Sequence, residues 1–341
     1  MTKSVLSHAI NELSTTDDVM ARHQRPGPHA TVVMEFPTPG RAGDDRLVRW
    51  HVRRSELVDA DAPTDVLMHL DALVEELEPR GERVLLTADG TDAAFCWLID
   101  HAVEHFVHVG TCPALLPAID ELADRPPVII GVVDHFGADL YELDHLDLTE
   151  IGTVEGDQVQ ADYHTKGDQA GYQRRVEAIY QRNADMIARQ ITERAATAGA
   201  RLVLLTGDDR ESASVTDHLD THRFTVVTVQ AGARHDQHLT DRLRHAANEQ
   251  SQADRRSRRA RAVEHLREEL GRHALGVEGR QAAATAVAEG RVDTMFVDRS
   301  ASSDECNELA RDTLLSGGAV VVTSNLDTAD GVAALLRYAT H

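Results

Sequence analysis

Cysteine is scarce in this chain: Cys96, Cys112 and Cys306 lie far apart and form no Cys-x-x-Cys pair. That spacing excludes a disulfide framework and a thiolate zinc site, and it fits reduced thiols. Aromatic residues make up 4% of the chain, so its cores must be packed from Leu, Val, Ile and Ala. Lysine is almost missing. Lys3 and Lys166 are the only two among 35 basic residues, which leaves the cation chemistry to Arg, whose planar fork suits phosphate. Apolar runs such as Val128-Ile-Ile-Gly-Val-Val133 fall far short of the roughly 18 residues a membrane span requires. Met1 to Leu13 alternates polar and apolar residues as an amphipathic helix would and has no signal-peptide core, so the expected compartment is the cytoplasm. Gly-x-Gly-x-x-Gly, Gly-x-x-x-x-Gly-Lys-Ser/Thr and Gly-x-Ser-x-Gly are all absent. Dinucleotide binding, nucleotide hydrolysis and nucleophile-elbow hydrolysis therefore lack their usual carriers, and no cofactor is expected.

What the chain does have is acid, with one basic island. The formal net charge is −22, yet His238 to Arg280 carries ten Arg against seven Asp or Glu, so the remainder holds −25. The densest part is Arg255, Arg256, Arg258, Arg259 and Arg261, inside Asp254 to Arg261. Basic residues concentrated on an acidic body make a local polyanion contact, with no general affinity for DNA. The competing reading is a solvated helix face with internal pairs such as Arg261 with Glu264 or Glu268, each worth tenths of a kcal/mol.

Length and periodicity divide the chain into three consecutive α/β domains, expected at 1–126, 127–274 and 275–341. In the first, Ala30 to Phe36 reads as a strand, Leu47 to Leu57 as a helix, and Thr64 as the N-cap of a helix burying Leu67, Leu70, Leu73, Val74 and Leu77. Asp89-Gly90 then marks a hairpin. The second opens after Pro126-Pro127 with a hairpin turning at His135-Phe-Gly137, followed by a polar loop from Gly152 to Gly171 and a long helix to Gly199. Strands at Arg201 to Thr206 and Phe224 to Val229 complete a doubly wound, RNase H-like mixed sheet, and a last helix carries the Arg residues. The third reads helix (Arg280 to Glu289), strand (Asp293 to Val297), helix (Asp304 to Leu315), strand (Ala319 to Thr323) and helix (Gly331 to Ala339), a small αβα sandwich.

Few constellations carry chemistry. His101, His105 and His108 would share a face if helical, but Phe106 to Val109 reads as strand, so no metal site is expected. Asp134, Asp139, Asp144 and Asp147 are scattered by strand alternation. Thr206-Gly-Asp-Asp-Arg210 lies where an open sheet offers backbone N–H groups to an anion, the basis of one alternative, a small-ligand-binding stress protein. Lys166 to Arg175 places Gln169 and Gln173 beside Arg174 and Arg175 just ahead of the long helix, either an exposed tip suited to RNA or, as composition alone favours, an ordinary loop with a solvated helix start.

The order of the blocks, together with Val132-Val-Asp-His-Phe-Gly-Ala-Asp139, the Gly167 to Arg189 loop and helix, Gln230-Ala-Gly-Ala-Arg234 and Asp330-Gly-Val-Ala-Ala-Leu-Leu-Arg-Tyr338, resembles the bacterial branch of the class I release factor and Pelota superfamily. More narrowly it resembles the Balon-type ribosome hibernation factors, a group also described as Vms/Ankzf-like peptidyl-tRNA hydrolases. The resemblance spans nearly the whole chain and is most specific in the hairpin and the C-terminal motif. It implies a stress or hibernation factor that contacts rRNA in the A site of the 70S ribosome, occluding the decoding and peptidyl-transferase centres, with the aminoacyl-tRNA-delivering elongation factor as a further partner. Release factors use a Gly-Gly-Gln tip to position water at the peptidyl ester, and this chain has Gly171-Tyr172-Gln173 in the matching loop. Gln173 is thus the candidate catalytic residue of the alternative, a peptidyl-tRNA hydrolase. Gly171, Tyr172, Gln173, Arg174, Arg175 and the five Arg residues from 255 to 261 are the candidate RNA contacts. Tyr172 in place of the second Gly removes backbone freedom, and a tip that fits without hydrolysing would simply occupy the centre.

Overall fold

The computed structural model describes residues 11–37, 45–78, 81–98, 103–123, 125–144, 147–157 and 169–339, apart from 235, 237, 302, 325 and 329. It holds three mixed sheets with helices packed on them, the α/β class expected. Its compact units are two: residues 125–255, and residues 1–124 together with 256–341. Among the described residues no helix is long and apolar enough to cross a membrane.

The first block runs β1 (Asn11–Glu12), α1 (Thr16–His23), β2 (His29–Glu35), α2 (Asp45–Asp59), α3 (Thr64–Glu76), β3 (Arg83–Ala88), β4 (Ala93–Leu98), β5 (Phe106–Gly110) and α4 (Leu116–Ala123). Its strands align in the order β1-β4-β3-β2-β5. The expected N-terminal helix reaches into the described residues only at its end, where Asn11–Glu12 instead pairs with β4. Leu67, Leu70, Leu73, Val74 and Leu77 are buried as their spacing requires. Thr64 is not the N-cap: Pro63 takes that place at φ −59° and ψ 146° with no side-chain cap, and Thr64 is already helical, since proline has no N–H to leave unpaired at a helix start. The β3–β4 hairpin is closed by the Asp89 carboxylate, which accepts the N–H groups of Thr91 at 2.7 Å and Asp92 at 3.1 Å. Burial opposes that charge, yet these bonds and Arg22 hold Asp89 down at about 2.

The middle block runs β6 (Val128–Asp134), β7 (Gly137–Asp144), β8 (Asp147–Glu155), α5 (Gln169–Ala198), β9 (Leu202–Gly207), α6 (Asp209–His218), β10 (Thr225–Thr228) and α7 (Leu239–Arg272). The order is β10-β9-β6-β7-β8, parallel across β10, β9 and β6 and antiparallel from β6 to β8. The strand residues alternate faces. Ile129, Val133, Val203 and Leu205 pack with Ile187 and Ile191 of α5 and Val215 of α6, whereas Val128, Ile130, Val132 and Leu204 pack with Leu239 and Leu243 of α7. The sheet is therefore covered on both faces, as the apolar runs predict. The polar loop is shorter than expected, since β8 extends to Glu155 and α5 starts at Gln169.

The third block runs β11 (Gly276–Glu278), α8 (Arg280–Ala288), β12 (Val292–Asp298), a 3-10 turn (Arg299–Ala301), α9 (Asp304–Leu315), β13 (Ala319–Thr323) and β14 (Val332–Leu336), ordered β11-β14-β12-β13. The helix expected at Gly331 to Ala339 is instead β14, an interior strand between β11 and β12. Ala and Leu favour helix in isolation, but all five residues of β14 are buried, and a short, wholly apolar run fits an interior strand equally well. Helices still cover both faces. Ala283 and Ala286 of α8 and Ala310 of α9 lie against Met295 and Val297, while the outer face belongs to Val263 and Leu266 of α7, which pack on Phe296, Ala333 and Leu335.

The first and third blocks share one core, in which Leu115 and Ile119 meet Val297, Val322, Cys306 and Ala310. Hydrogen bonds cross it, with the Leu116 N–H donating to the Asn307 side-chain oxygen at 3.0 Å. All three cysteines are buried and unpaired by disulfide. Burial, then Asp304, pushes the Cys112 thiol up to about 12, so it stays protonated and unreactive.

His23, 3% exposed, has no hydrogen-bond partner for either ring nitrogen among the described residues. Burial first, then Arg311, lowers its value from 6.5 to about 4, against an opposing pull from Asp312. Between those values the unfolded chain binds a proton that the folded chain refuses. Stability is thus full above the unfolded value and is lost as pH falls toward about 4, by on the order of 3 kcal/mol. Urea midpoints measured from pH 7 to 4 should fall less steeply for His23→Gln than for the parent, and parallel curves would contradict this assignment.

Candidate functional site

At one end of the middle sheet, three sequence motifs interlock. Asp134 closes the β6–β7 turn by accepting the N–H groups of Phe136 at 2.7 Å and Gly137 at 3.0 Å. Arg234, from Gln230-Ala-Gly-Ala-Arg234, grips Asp139 with a two-pronged fork at 3.0 and 2.8 Å and reaches Asp134 at 3.1 Å. Hydrogen bonding to Asp139 raises the guanidinium further above its ordinary value. Asp134 and Asp139 are thus brought together by a cation about 100 residues away in sequence, a pairing that strand alternation alone does not reveal. Thr206 then ties the third motif in: its hydroxyl donates to the Gly232 carbonyl at 3.1 Å and accepts the Ala231 N–H at 3.1 Å.

The Thr206-Gly-Asp-Asp-Arg210 loop does not offer an anion its backbone. Asp208 caps α6 with its own Oδ1, accepting from Arg210 at 2.9 Å and Glu211 at 3.1 Å, so those donors are taken and the local charge is negative. This removes the basis of the small-ligand alternative. Beside the cap lies Glu211, 4% exposed. Its Oε1 is 3.9 Å from His135 Nδ1, and burial raises its value.

Helix α5 is fastened to this end of the sheet through the buried Asn183. Its side-chain amide donates to the carbonyls of His135 at 3.3 Å and Asp157 at 3.1 Å, and its oxygen accepts the Asp157 N–H at 2.9 Å. Tyr180 stacks at 6.0 Å from His135, and Arg210 pairs with Glu177. From Asn183 back to Gln173 the helix spans ten residues, roughly 15 Å of rise.

Gly171, Tyr172 and Gln173 lie within α5, and no irregular tip is formed there. Tyr172, Gln173, Arg174 and Arg175 are exposed. Lys166, Gly167 and Asp168 lie outside the described residues. The reason is local: Gln, Ala and Arg around these positions favour helix, and one Gly near an N-terminus costs only about 1 kcal/mol.

The Arg-rich stretch of α7 is split by burial. Arg255 is 3% exposed, and Arg259 is engaged with the buried Asp120 at 2.6 Å. These two lie inside, not on the surface that a solvated or RNA-facing strip requires, because a helix of 3.6 residues per turn places positions four apart on one face. Arg256 and Arg261 are exposed and Arg258 is half-buried. His108 sits in β5, 3.0 Å from Asp304, while His101 lies outside the described residues.

Residues 127–272 match the family model described as bacterial archaeo-eukaryotic release factor family 2. Over that stretch the chain is similar to that family. The matched segment contains the hairpin, the Arg234 motif, α5 and all of α7. Across 87% of this chain and 90% of its own length, the protein Rv2629 of Mycobacterium tuberculosis is 25% identical to it. Among solved structures, a ribosome-bound archaeal Pelota with ABCE1 covers 96% of this chain and 95% of itself at 14% identity and a TM-score of 0.46. Pelota of Archaeoglobus fulgidus covers 96% and 93% at 14% identity and a TM-score of 0.42.

Proposed function

We propose that this protein is a ribosome-binding translation factor that occupies the A site, with the start of α5 directed to the peptidyl-transferase centre, and that it blocks that centre without hydrolysing peptidyl-tRNA. This is the action of a hibernation or stress factor. The observation that carries the reading is the helical state of Gly171-Tyr172-Gln173 within the segment similar to that release-factor family. A hydrolytic tip needs a backbone turned so that it positions water beside the amide, whereas here Gln173 stands in helical geometry with its N–H placed to bond residue i−4, and Gly171 lies in the first helical turn. An exposed Tyr172, Gln173, Arg174 and Arg175 supply bulk, stacking surface and charge for RNA.

Binding must overcome the net charge of −22, so it is carried by oriented cations and aided by a protein partner of the elongation-factor kind. Arg174, Arg175, Arg256, Arg258 and Arg261 are the contacts proposed, and Arg255 and Arg259 hold the fold. The three blocks expected at 1–126, 127–274 and 275–341, of which the first and third share one core, would address successive regions of the A site. The exposure of Gln173 favours one second reading, peptidyl-tRNA hydrolysis using its amide.

The test is co-sedimentation with 70S ribosomes between about 50 and 200 mM salt, with a peptidyl-tRNA release assay on the bound fraction. Salt-weakened binding without release is expected. Arg256→Ala with Arg261→Ala should reduce the slope of log affinity against log salt by about one unit for each phosphate no longer neutralised. Release that disappears in Gln173→Ala, with binding retained, would establish the hydrolase instead, and absence of binding at every salt would end the ribosome reading.

A further inference from the structure

Among the described residues, His135, Asp208 and Glu211 form a convergent group whose ligand atoms all lie within 4.8 Å of one another. They come from three separate places: the β6–β7 turn, the N-cap of α6 and the first turn of α6. Each is preoriented. The His135 ring is flanked by Phe136 at 5.6 Å and Tyr180 at 6.0 Å. Asp208 is held by the two backbone N–H groups that its Oδ1 accepts, leaving Oδ2 unused by the cap.

Glu211 is the telling member. Its side chain is 6% exposed, and its carboxylate accepts no hydrogen bond from any described residue. A carboxylate so little exposed is favoured by a cation beside it. The nearest cationic side chain on the same helix turn, Arg210, is engaged with Glu177. His135 Nδ1, at 3.9 Å, is beyond hydrogen-bonding distance.

We infer that His135 Nδ1, Asp208 Oδ2 and the Glu211 carboxylate bind one divalent first-row transition ion, of which Zn2+ is the type. Metal–ligand bonds of about 2.0–2.2 Å imply ligand atoms about 3.4 Å apart in a tetrahedron, so the 4.8 Å group closes with small side-chain shifts. Two carboxylates and one neutral imidazole carry a charge of about −2, which the ion cancels. The single nitrogen donor selects such an ion over Mg2+, which takes oxygen ligands. Three protein ligands leave a fourth position for water or for an oxygen of a bound RNA. Because His135 also lies at the anchor of α5, the ion would clamp the β6–β7 turn and the start of α6 beneath that helix.

The chain has 19 His, so variants must locate the site. The full-length protein, stripped with chelator and dialysed against Zn2+, is expected to retain one equivalent by elemental analysis. Co2+ should give a visible spectrum of low-symmetry N/O ligation, and Mg2+ in tenfold excess should not displace either ion. His135→Asn and Glu211→Gln should each weaken that equivalent at least tenfold while leaving the far-ultraviolet circular dichroism unchanged. His135 is 47% exposed, so its variant tests the site even if Glu211→Gln fails to fold. No retained Zn2+ in the parent, or the same equivalent retained in His135→Asn, overturns the assignment. Ribosome binding is measured separately, so its failure leaves this inference standing.

Discussion

Replacing Asp120 by Ala is expected to lower the stability of the unit containing α4 by about 3–5 kcal/mol, the cost of breaking a buried ion pair from one side. Asp120 is 4% exposed, and its two oxygens face Arg259 at 2.6 Å and Arg299 at 3.7 Å. Removing the carboxylate leaves both guanidinium groups without that counter-charge. Asp120 and Arg299 also line a cavity of about 540 Å³ between His105, His108 and Ser300, and water there would partly solvate Arg299, which places the loss toward the lower end. Asp120→Asn keeps the shape and loses the charge, so it should fall between the parent and Asp120→Ala. Urea unfolding followed by circular dichroism reads the effect as a shift in midpoint at constant slope. A loss under about 1 kcal/mol would mean that solvent screens the pair, and Arg259 would return to the surface candidates for RNA contact.

Gly207→Ala should damage the other unit, residues 125–255, by about 3 kcal/mol or more, a fall of roughly 10 °C in midpoint. Gly207 has φ +113°, and an added Cβ would overlap the Val133 carbonyl oxygen and lie 3.0 Å from the Val133 nitrogen. Val133 is its ladder partner in β6, and the Val133 carbonyl also receives the Asp208 N–H at 3.0 Å. No flexible side chain can yield there; the methyl group must pry β9 from β6 at the point where Asp208 caps α6. Gly199→Ala is the control, since φ is +69° with nothing within 4 Å of the added atom, and only the left-handed strain of about 1–2 kcal/mol remains. Equal losses for the two variants would refute the steric argument. Should the two units melt separately, Asp120→Ala and Gly207→Ala should move different transitions.

Several features of the site were legible in sequence because they depend on local chemistry. The His135-Phe-Gly137 turn, the long helix of α5 and the parallel strands β9 and β10 follow from turn residues and apolar periodicity, and they occur as expected. The Arg234 fork was not legible, because Asp134 and Asp139 point to a common partner only after β6 and β7 pair and the 230–234 segment folds back. The metal-ligand group escaped for the same reason: His135 and Glu211 are 76 positions apart and meet through sheet topology. A signal was nonetheless present, since Asp208 follows the strand Leu202–Gly207 and precedes a helix carrying Glu211 at its third residue.

By itself, the sequence determined the α/β class, the strands and helices with clean periodicity, and the concentration of Arg in one helix, because propensity, burial pattern and net charge are properties of neighbouring residues. Tertiary structure alone decided which Arg residues are solvent-facing, because Asp120 from α4 draws Arg259 inward. It also decided that Val332–Leu336 is a strand. An apolar pentapeptide stabilises whichever secondary structure buries both its faces, and here β11 and β12 supply the hydrogen-bonding partners on either side.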